Sequence, residues 1–346
     1  MKKRYWIGIG VSVLLVFLLL RSVQLDSVGE AFRHANLLFL LPALAFYFAG
    51  VWVRTLRWGV LLKPVQRIGA RRLFQVLAVG YMANDILPLR AGEAVRVYML
   101  WQKERISPGA TFATILVERI FDGLALTGFL VAGGLLVRLG DSLLWLTRVA
   151  GLVFVVGVLA AVAMAVAPAL TLRLASTLLR PLPAGMRDIM LRVIRSFEDG
   201  LHILRSARET ALVLMLSLGA WLLEAGVFYM LMFSFSFQPS YVAAVLGAAV
   251  ANLASMIPSS PGYVGTFDVG LLNVLSGTFG VDASIAAAYT ALVHAALFLP
   301  ITLLGIYFVW REGLSLRRIT SRESYREVAA AGGETEGDAM ARRSIP

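Results

Sequence analysis

The sequence of 346 residues contains no cysteine. Disulfide bonds, thiolate metal sites and cysteine nucleophiles are therefore excluded. Charged residues are also scarce, at 15% of the chain, whereas an ordinary soluble domain carries roughly 25%, and this shortage excludes a soluble globular enzyme. The three histidines, His34, His202 and His294, lie on separate segments without metal-binding spacing. We therefore expect neither a metal ion nor another cofactor.

The chain is instead rich in hydrophobic residues and has an excess of basic ones. Hydrophobic residues make up 59% of the chain, the mean hydropathy is +0.78, and 32 Lys and Arg against 21 Asp and Glu give a net charge of +11. In a nucleic-acid-binding protein this excess would form a hydrophilic surface patch. Here it is interleaved with long apolar runs, so we expect no nucleic-acid partner. The pattern predicts an all-α polytopic membrane protein.

Six segments approach the roughly 20 apolar residues that a full crossing needs. They are residues 5–20, 37–53, 110–137, 149–167, 211–235 and 283–310. The first follows Met1-Lys2-Lys3-Arg4 and also fits the apolar region of a signal peptide, but no small-x-small cleavage site comes after it. We therefore predict a retained span.

Two further apolar segments are broken by Pro and Gly and are predicted to be re-entrant hairpins. Residues 73–83 and 94–101 are each too short to cross, and Pro88 and Gly92 lie between them. Residues 241–257 and 269–281 flank a second tip, and no Lys or Arg occurs between Phe235 and Arg311. If these arms crossed fully, their connection would be an uncharged cytoplasmic loop, so a hairpin entering from the opposite face fits better.

The basic charge predicts the orientation. In this layout 27 of the 32 Lys and Arg, with Arg54 and Arg57 among them, fall in loops or termini on one side. We therefore expect a cell-membrane protein with both termini in the cytoplasm. Residues 1–310 form the membrane domain, with a first half at 1–167 and a second half at 211–310, and residues 311–346 form a basic tail that is largely disordered. Each half consists of a span, a hairpin and a second span, and the elements of one half run in the opposite direction to those of the other. This arrangement predicts an inverted repeat.

Residues 171–208 lie between the halves and form a predicted cytoplasmic amphipathic helix. From residue 186 to residue 204 the apolar side chains recur at helical spacing, and arginines lie on the other face. Such a helix fits the cytoplasmic headgroup layer, where anionic lipid attracts it. Packing as a cap on the helix bundle is an equal alternative.

Ionisable residues occur at predicted membrane depth, where each costs about 2.5 to 3.5 kcal/mol on insertion scales. Glu118 and Asp122 share one helix face. One interpretation is purely structural, with Arg90, Arg96 and Arg119 neutralising Glu93, Glu118 and Asp122. The other is a substrate site, because arginine binds phosphate in a bidentate manner and half-helices that begin at Gly92 or Gly265 would point N–H groups at an anion. Asn84, Asp85, Glu224 and Asp268 also fall at this depth. His294 fits helix packing better than a proton relay with Glu224.

The motifs that carry these residues resemble one family. They are Asn84-x-x-x-Pro88-x-Arg90-x-Gly92-Glu93-x-x-Arg96, then Glu118-Arg119-x-x-Asp122, then Pro258-x-x-Pro261-Gly262-x-x-Gly265-Thr266-Phe267-Asp268. In this order they resemble the flippase-like family that includes the transmembrane region of lysylphosphatidylglycerol synthases, from about residue 37 to residue 310. The third motif departs at Tyr263-Val264 and at Asp268, where the family commonly has smaller residues and Glu.

The resemblance implies a domain that moves lipids, notably aminoacylated phosphatidylglycerol, between leaflets, with relatives in polyprenyl-linked sugar pathways. In the full-length synthases a soluble C-terminal domain transfers the amino acid. Only 36 residues follow Trp310, so we expect the synthase activity to be absent. No nucleophile–base spacing, Walker loop or Gly-x-Ser-x-Gly elbow supports an enzyme.

Our preferred hypothesis is a stand-alone translocase for a phosphate-bearing envelope lipid, either an anionic phospholipid or a polyprenyl phosphate-linked lipid. Its predicted substrate-binding residues are Asn84, Arg90, Glu93, Arg96, Glu118, Arg119 and Asp122. Its predicted gates are the hairpin residues Pro88, Gly92, Pro258, Pro261, Gly262 and Gly265, and its candidate proton-coupling residues are Glu224 and Asp268. The alternative is an accessory membrane subunit that positions or regulates a lipid synthase or a glycosyltransferase. The oligomeric state does not follow from the sequence.

Overall fold

A computed structural model describes residues 25–87, 91–180, 183–235, 237–238, 240–256 and 261–312. These residues form helices and connections without any β-strand, so the predicted all-α class is confirmed. The predicted span at residues 5–20, the tail beyond residue 312 and the predicted site residues Pro88, Arg90 and Pro258 lie outside the described residues.

The α-helices follow one another with short connections. In chain order they are α1 (Leu25–Arg33), α2 (Leu40–Leu62), α3 (Ala70–Ile86), α4 (Gly92–Glu104), α5 (Pro108–Leu136), α6 (Asp141–Val166), α7 (Pro168–Leu178), α8 (Ala184–Leu201), α9 (Ala207–Met232), α10 (Tyr241–Ser255), α11 (Thr266–Leu272) and α12 (Ala283–Arg311). Local capping fixes several starts: Ser107, Ser206 and Asp282 each accept a backbone N–H of the helix that follows.

Four described helical segments are long and apolar enough to cross a membrane. They are Leu37–Leu62, Asp141–Val166, Ala207–Met232 and Ala283–Arg311. Helix α5 is as long as α12, at 29 residues, but its apolar sequence is interrupted by Glu118, Arg119 and Asp122. The chain is thus a multi-pass helical protein, while the complete arrangement of six spans and two re-entrant hairpins stays a prediction.

The first described span corrects the sequence-based boundary. The apolar run was expected to end at residue 53, with Arg54 and Arg57 in a cytoplasmic loop, yet α2 continues to Leu62. Arg54 and Arg57 are buried, with relative exposures of 5% and 0%. They lie on the same face of α2 as Tyr47 and Val51, which are also buried. The helix holds these charges at depth because carboxylates on other helices meet them.

The two halves pack in a matching pattern. Helix α2 packs against α9, its counterpart in the second half. Helix α3, the first arm of one hairpin, packs on α12, and α10, the first arm of the other hairpin, packs on α5. The second arms, α4 and α11, pack on α5 and α12 of their own halves. Each hairpin therefore packs on the last helices of both halves, while the inverted repeat stays a prediction.

Hairpin 1, formed by α3 and α4, is closed at its tip by a backbone contact. The Gly92 N–H donates to Asn84 Oδ1 at 2.7 Å, so the side chain at the end of α3 caps the start of α4. Gly92 lies so close to α3 that a Cβ there would be 1.9 Å from Gly80 O and 2.6 Å from Asn84 Oδ1. The half-helix predicted to begin at Gly92 is present.

Hairpin 2 consists of α10, a 3-10 turn at Pro261–Tyr263 and α11. Gly262, Tyr263 and Gly265 have positive φ values of 69°, 57° and 93°. Glycine adopts such values without steric cost, and it occupies two of the three positions. Asp268 accepts the Gly265 N–H at 2.8 Å and closes the start of α11. Beyond α11 the chain forms a π-helix at Asn273–Thr278.

The segment between the halves divides into α7, α8 and a 3-10 turn at His202–Arg205. Helix α8 packs against α5, and a Cβ at Gly200 would lie 2.5 Å from Ala110 O. The end of α8 therefore packs on the bundle, as the second of the two alternatives expects. Helix α7 instead exposes Leu170, Leu174 and Leu178, which share one face.

We expect Gly92→Ala to destabilise the protein because the new methyl group meets the backbone of α3 as well as the Asn84 side chain. Overpacking of this kind costs about 1–3 kcal/mol. Gly128→Ala on α5 is the matched control, since no atom lies within 4 Å of its Cβ position. Thermal unfolding of both variants in detergent measures the difference, and equal stabilities would show that the Gly80–Gly92 approach is not a constraint.

Candidate functional site

Arg57 is at the centre of the buried charge network. Its Nη1 donates to Asp122 Oδ1 at 2.5 Å and to Ser217 Oγ at 2.8 Å, and its Nη2 lies 3.5 Å from Glu118 Oε1. Trp221 Nε1 donates to the same Asp122 oxygen at 2.8 Å. Helices α2, α5 and α9 are thus joined at one point, with opposite charges in contact where water is excluded.

Arg96 is held equally tightly. It forms a bidentate pair with Glu118, with N–O distances of 3.1 and 2.9 Å, and its guanidinium lies over the Trp58 ring, 4.0 Å from the centroid. Trp58 is fully buried and donates from Nε1 to Thr114 Oγ1 at 3.2 Å. Trp58 is therefore part of the core, and Arg96 fixes α4 to α5.

Arg119 differs from these two arginines in its accessibility. Its Nη2 donates to Glu118 Oε1 at 2.8 Å, whereas its Nη1 is 3.9 Å from Asp122 Oδ2, beyond hydrogen-bonding distance. Its Nε is buried without a hydrogen-bond partner, as are those of Arg57 and Arg96. The side chain is 27% exposed, against 0–2% for Glu118, Asp122, Arg57 and Arg96. Arg119 thus has N–H groups left to bind a ligand.

Glu224 on α9 is paired from two sides. Arg54 Nη2 donates to its Oε2 at 2.6 Å, and Asn252 Nδ2 on α10 donates to its Oε1 at 2.7 Å. Arg54 also lies over the Trp221 ring, 4.7 Å from the centroid. This second network links hairpin 2 to α2 and α9, the central helices of the two halves.

The two networks line a polar cavity of about 120 Å³ in the centre of the bundle. Charged side chains from four helices reach it: Arg54, Asp85, Arg119, Asp122 and Glu224. Asn84 from hairpin 1 and Asn252 from hairpin 2 lie in its wall, and the remaining wall is largely aromatic, with Tyr47, Tyr81, Trp221, Tyr263, Phe267 and Phe298. Both hairpins therefore contribute to one chamber.

Two polar pairs tie α12 to the hairpins, and Asp85 of one pair also lines this chamber. Asp268 Oδ1 is 2.7 Å from His294 Nδ1, so the second arm of hairpin 2 is tied to α12, and the pair is partly accessible, at 17% and 16%. The Thr302 hydroxyl donates to Asp85 Oδ2 at 2.6 Å and ties α3 to α12. His294 therefore pairs with Asp268 and not with Glu224, the relay partner considered from the sequence.

The predicted substrate residues divide between the cavity and its support. Asn84, Arg119 and Asp122 line the cavity, whereas Arg96 and Glu118 lie behind it. Glu93 begins α4 and has a buried Oε2 atom without a hydrogen-bond partner. Of the predicted gate residues, Gly92 and Gly265 mark helix starts, while Pro261 and Gly262 form the tip of hairpin 2.

Sequence reasoning missed Arg54, Arg57 and Asn252. A signal for the arginines was present, because the apolar run Trp58-Gly59-Val60-Leu61-Leu62 continues after them. The signal was overlooked because both arginines were counted among the basic residues of the loop that follows the span. Asn252 had no local signal, since its role depends on Glu224, which lies 28 residues earlier.

Comparison with known proteins matches the chain to a membrane-protein family and to membrane proteins of similar length. A family model described as the lysylphosphatidylglycerol synthase TM region matches residues 5–305. A UPF0104 membrane protein of Methanothermobacter thermautotrophicus is 27% identical over 317 residues, covering 87% of this chain and 92% of the relative. A second one from that organism is 26% identical over 271 residues, covering 73% and 77%.

A relative with a different name is the glycosyltransferase AglD of Haloferax volcanii. It is 26% identical over 322 residues, which cover 83% of this chain and 51% of AglD. The chain therefore spans about half the length of that protein. No solved structure matches the chain.

We expect Arg57→Met to destabilise the protein by about 3–5 kcal/mol, because it leaves buried carboxylates on α5 without their central cation. Arg67→Met is the matched control: Arg67 is exposed just beyond α2, and surface substitutions usually change stability by about 0.5 kcal/mol or less. Unfolding in detergent compares the two. A stable Arg57→Met protein would refute the central role of this arginine.

Proposed function

Because the chain belongs to the family of lysylphosphatidylglycerol synthase transmembrane regions, we propose that it is a lipid translocase. It moves a phosphate-bearing lipid between the leaflets of the cell membrane, either an anionic phospholipid, with or without an aminoacyl group, or a polyprenyl phosphate-linked lipid. The proposal assigns no enzymatic activity, catalytic residue or cofactor to the chain. It retains the charge-based orientation, with both termini in the cytoplasm.

Arg119 is the observation that carries this proposal. It lines the central cavity, is 27% exposed, and has an Nη1 group that is not hydrogen-bonded to Asp122. Nη1 lies beside Nη2 at the end of the guanidinium, and charge-assisted hydrogen bonds from this end suit a phosphate. Because its Nη2 is anchored on Glu118, the group is already oriented before a ligand arrives, which lowers the entropy cost of binding.

The other charges then have supporting roles. Glu118 and Asp122 hold Arg57, Arg96 and Arg119, so their oxygens are already engaged. Asp85 and Glu224 are the further acids in the cavity wall. Glu224 is already paired with Arg54 and Asn252, whereas Asp85 is paired with the neutral Thr302 hydroxyl. Asp85 therefore suits a cationic or hydroxyl-bearing part of the same headgroup, such as an amino acid or a sugar.

The hairpins serve as the gates in this proposal. The Asp268–His294 contact ties hairpin 2 to α12. If transport is coupled to protons, this pair is the site we assign to it, with Glu224 as the second acid. Hairpin 1 is fixed more firmly, through Arg96 and Glu118, so we propose that hairpin 2 moves more.

A second candidate function is supported by the relative named a glycosyltransferase. In that case the chain would hold or regulate a lipid synthase or a glycosyltransferase, and the charge networks would be purely structural. Co-purification separates the two candidates: a stable enzyme partner together with no lipid movement by the isolated protein would favour the accessory role.

We expect Arg119→Gln to reduce lipid translocation in proteoliposomes by about 10- to 100-fold, because it removes charge-assisted hydrogen bonds worth about 1.5–3 kcal/mol. Arg138→Gln is the matched control, since Arg138 is exposed just beyond the end of the same helix. Translocation is measured with fluorescent phosphatidylglycerol and a polyprenyl phosphate, as the fraction protected from an external quencher.

Arg119→Lys keeps the charge but not the fork of donors, so we expect intermediate activity. Thermal unfolding of all three variants separates loss of function from loss of fold. Wild-type rates for Arg119→Gln with every phosphate-bearing lipid would refute the proposal, as would equal losses for Arg119→Gln and Arg138→Gln.

A further inference from the structure

A second cavity lies beside the polar one and differs from it in chemistry. It is a groove of about 570 Å³ between α12, the tip of hairpin 2 and the end of α3, within the range of roughly 300–1,000 Å³ that is usual for ligand sites. Small side chains at four-residue spacing on α12 form its floor: Ala287, Ala291 and Ala295. They leave space between α12 and hairpin 2 where larger side chains would pack.

The ionisable groups on the groove wall and the Thr302 hydroxyl are already paired, whereas the buried Thr290 hydroxyl has no hydrogen-bond partner among the described residues. Asp268 pairs with His294, and Asp85 accepts the Thr302 hydroxyl. These groups therefore need no polar ligand in the groove. What the groove offers to a ligand is mainly the apolar surface of Ala, Ile, Val, Leu and Phe side chains, a surface that favours hydrocarbon.

The position of the groove identifies the ligand further. Asp85 and Phe298 line both the groove and the polar cavity, so the two spaces adjoin. On the other side the rim consists of exposed apolar side chains, Ile86 at 46%, Val264 at 41% and Leu299 at 60%. The exposed surface continues along α12 with Leu303. The groove thus lies between the polar cavity and the exposed apolar surface of the protein.

From this arrangement we propose that the groove binds one hydrocarbon chain of the lipid whose phosphate Arg119 holds. This inference rests on the proposed function, because it requires the headgroup to occupy the polar cavity. An amphipathic ligand would then lie across Asp85 and Phe298, with its phosphate inside and its chain directed outward. Entry of the lipid from the membrane would take place between hairpin 2 and α12.

Photo-crosslinking tests the groove directly. The full chain is placed in phosphatidylcholine vesicles that contain a small fraction of phosphatidylglycerol with a diazirine in one acyl chain, and adducts are mapped by peptide mass spectrometry after illumination. We expect adducts to concentrate on residues 287–302 of α12 rather than on the exposed face of α6. Diacylglycerol with the same diazirine should give about tenfold fewer adducts on α12, because it lacks the phosphate that Arg119 would bind through charged hydrogen bonds.

Substitution of the groove floor gives the second readout. Ala291→Trp and the double variant Ala291→Trp/Ala295→Trp fill the space, and we expect about tenfold fewer adducts on α12 and slower translocation. Ala160→Trp is the matched control, because Ala160 is exposed on α6 and does not line the groove. Thermal unfolding identifies any variant that fails to fold, and the wild-type adduct map does not depend on the variants.

The outcomes separate this inference from the proposed function. Translocation that depends on Arg119, together with adducts spread evenly over α6 and α12, would overturn the groove and leave the function intact. Adducts in the groove that the tryptophans abolish, without translocation by the wild-type protein, would support the groove and refute transport. Absence of lipid adducts on α12, with a change in oligomeric mass in the tryptophan variants, would assign the groove to a second copy of the chain and overturn the proposal.

Discussion

Burying an ionised group in an apolar helix bundle is costly unless an opposite charge meets it with good geometry, and the described bundle buries Arg54, Arg57 and Arg96. Each has a carboxylate partner on another helix: Glu224 on α9 for Arg54, and Asp122 or Glu118 on α5 for the others. Helices that bring charges to depth can be stable only in the arrangement that pairs them. The same pairs that permit the buried charge therefore also fix the relative positions of α2, α4, α5 and α9.

The two halves use corresponding contacts in different ways. In the first half the second hairpin arm is tied to the next helix by Arg96 and Glu118, 22 residues apart. In the second half the tie is Asp268 with His294, 26 residues apart. The accessibility of the two pairs differs: the first pair is buried, whereas the second is partly exposed beside a groove. A buried ion pair suits a fixed support, and a partly exposed contact suits a movable element.

The combined shape of the two cavities is itself amphipathic. A small charged chamber with an accessible guanidinium adjoins a larger apolar groove that opens on the outer surface. A soluble anion would use only the chamber, and a neutral hydrocarbon would use only the groove. A lipid with a phosphate headgroup uses both, which explains why a polar cavity and an apolar groove should share the walls Asp85 and Phe298. Both hairpins contribute residues to these walls, since α3 and the tip of hairpin 2 line the two cavities.

The sequence by itself determined the helical membrane class, the family motifs, the starts of the half-helices at Gly92 and Gly265, and the shared face of Glu118 and Asp122. These features depend on hydropathy, on Gly and Pro, and on a 3.6-residue period, all of which are local. Only the tertiary structure decided which charges are buried and which are accessible. Arg57 meets Asp122 across 65 residues, and Arg54 meets Glu224 across 170. Local hydropathy predicts that an arginine is exposed to water, because it takes no account of the carboxylate on a distant helix that stabilises the buried charge.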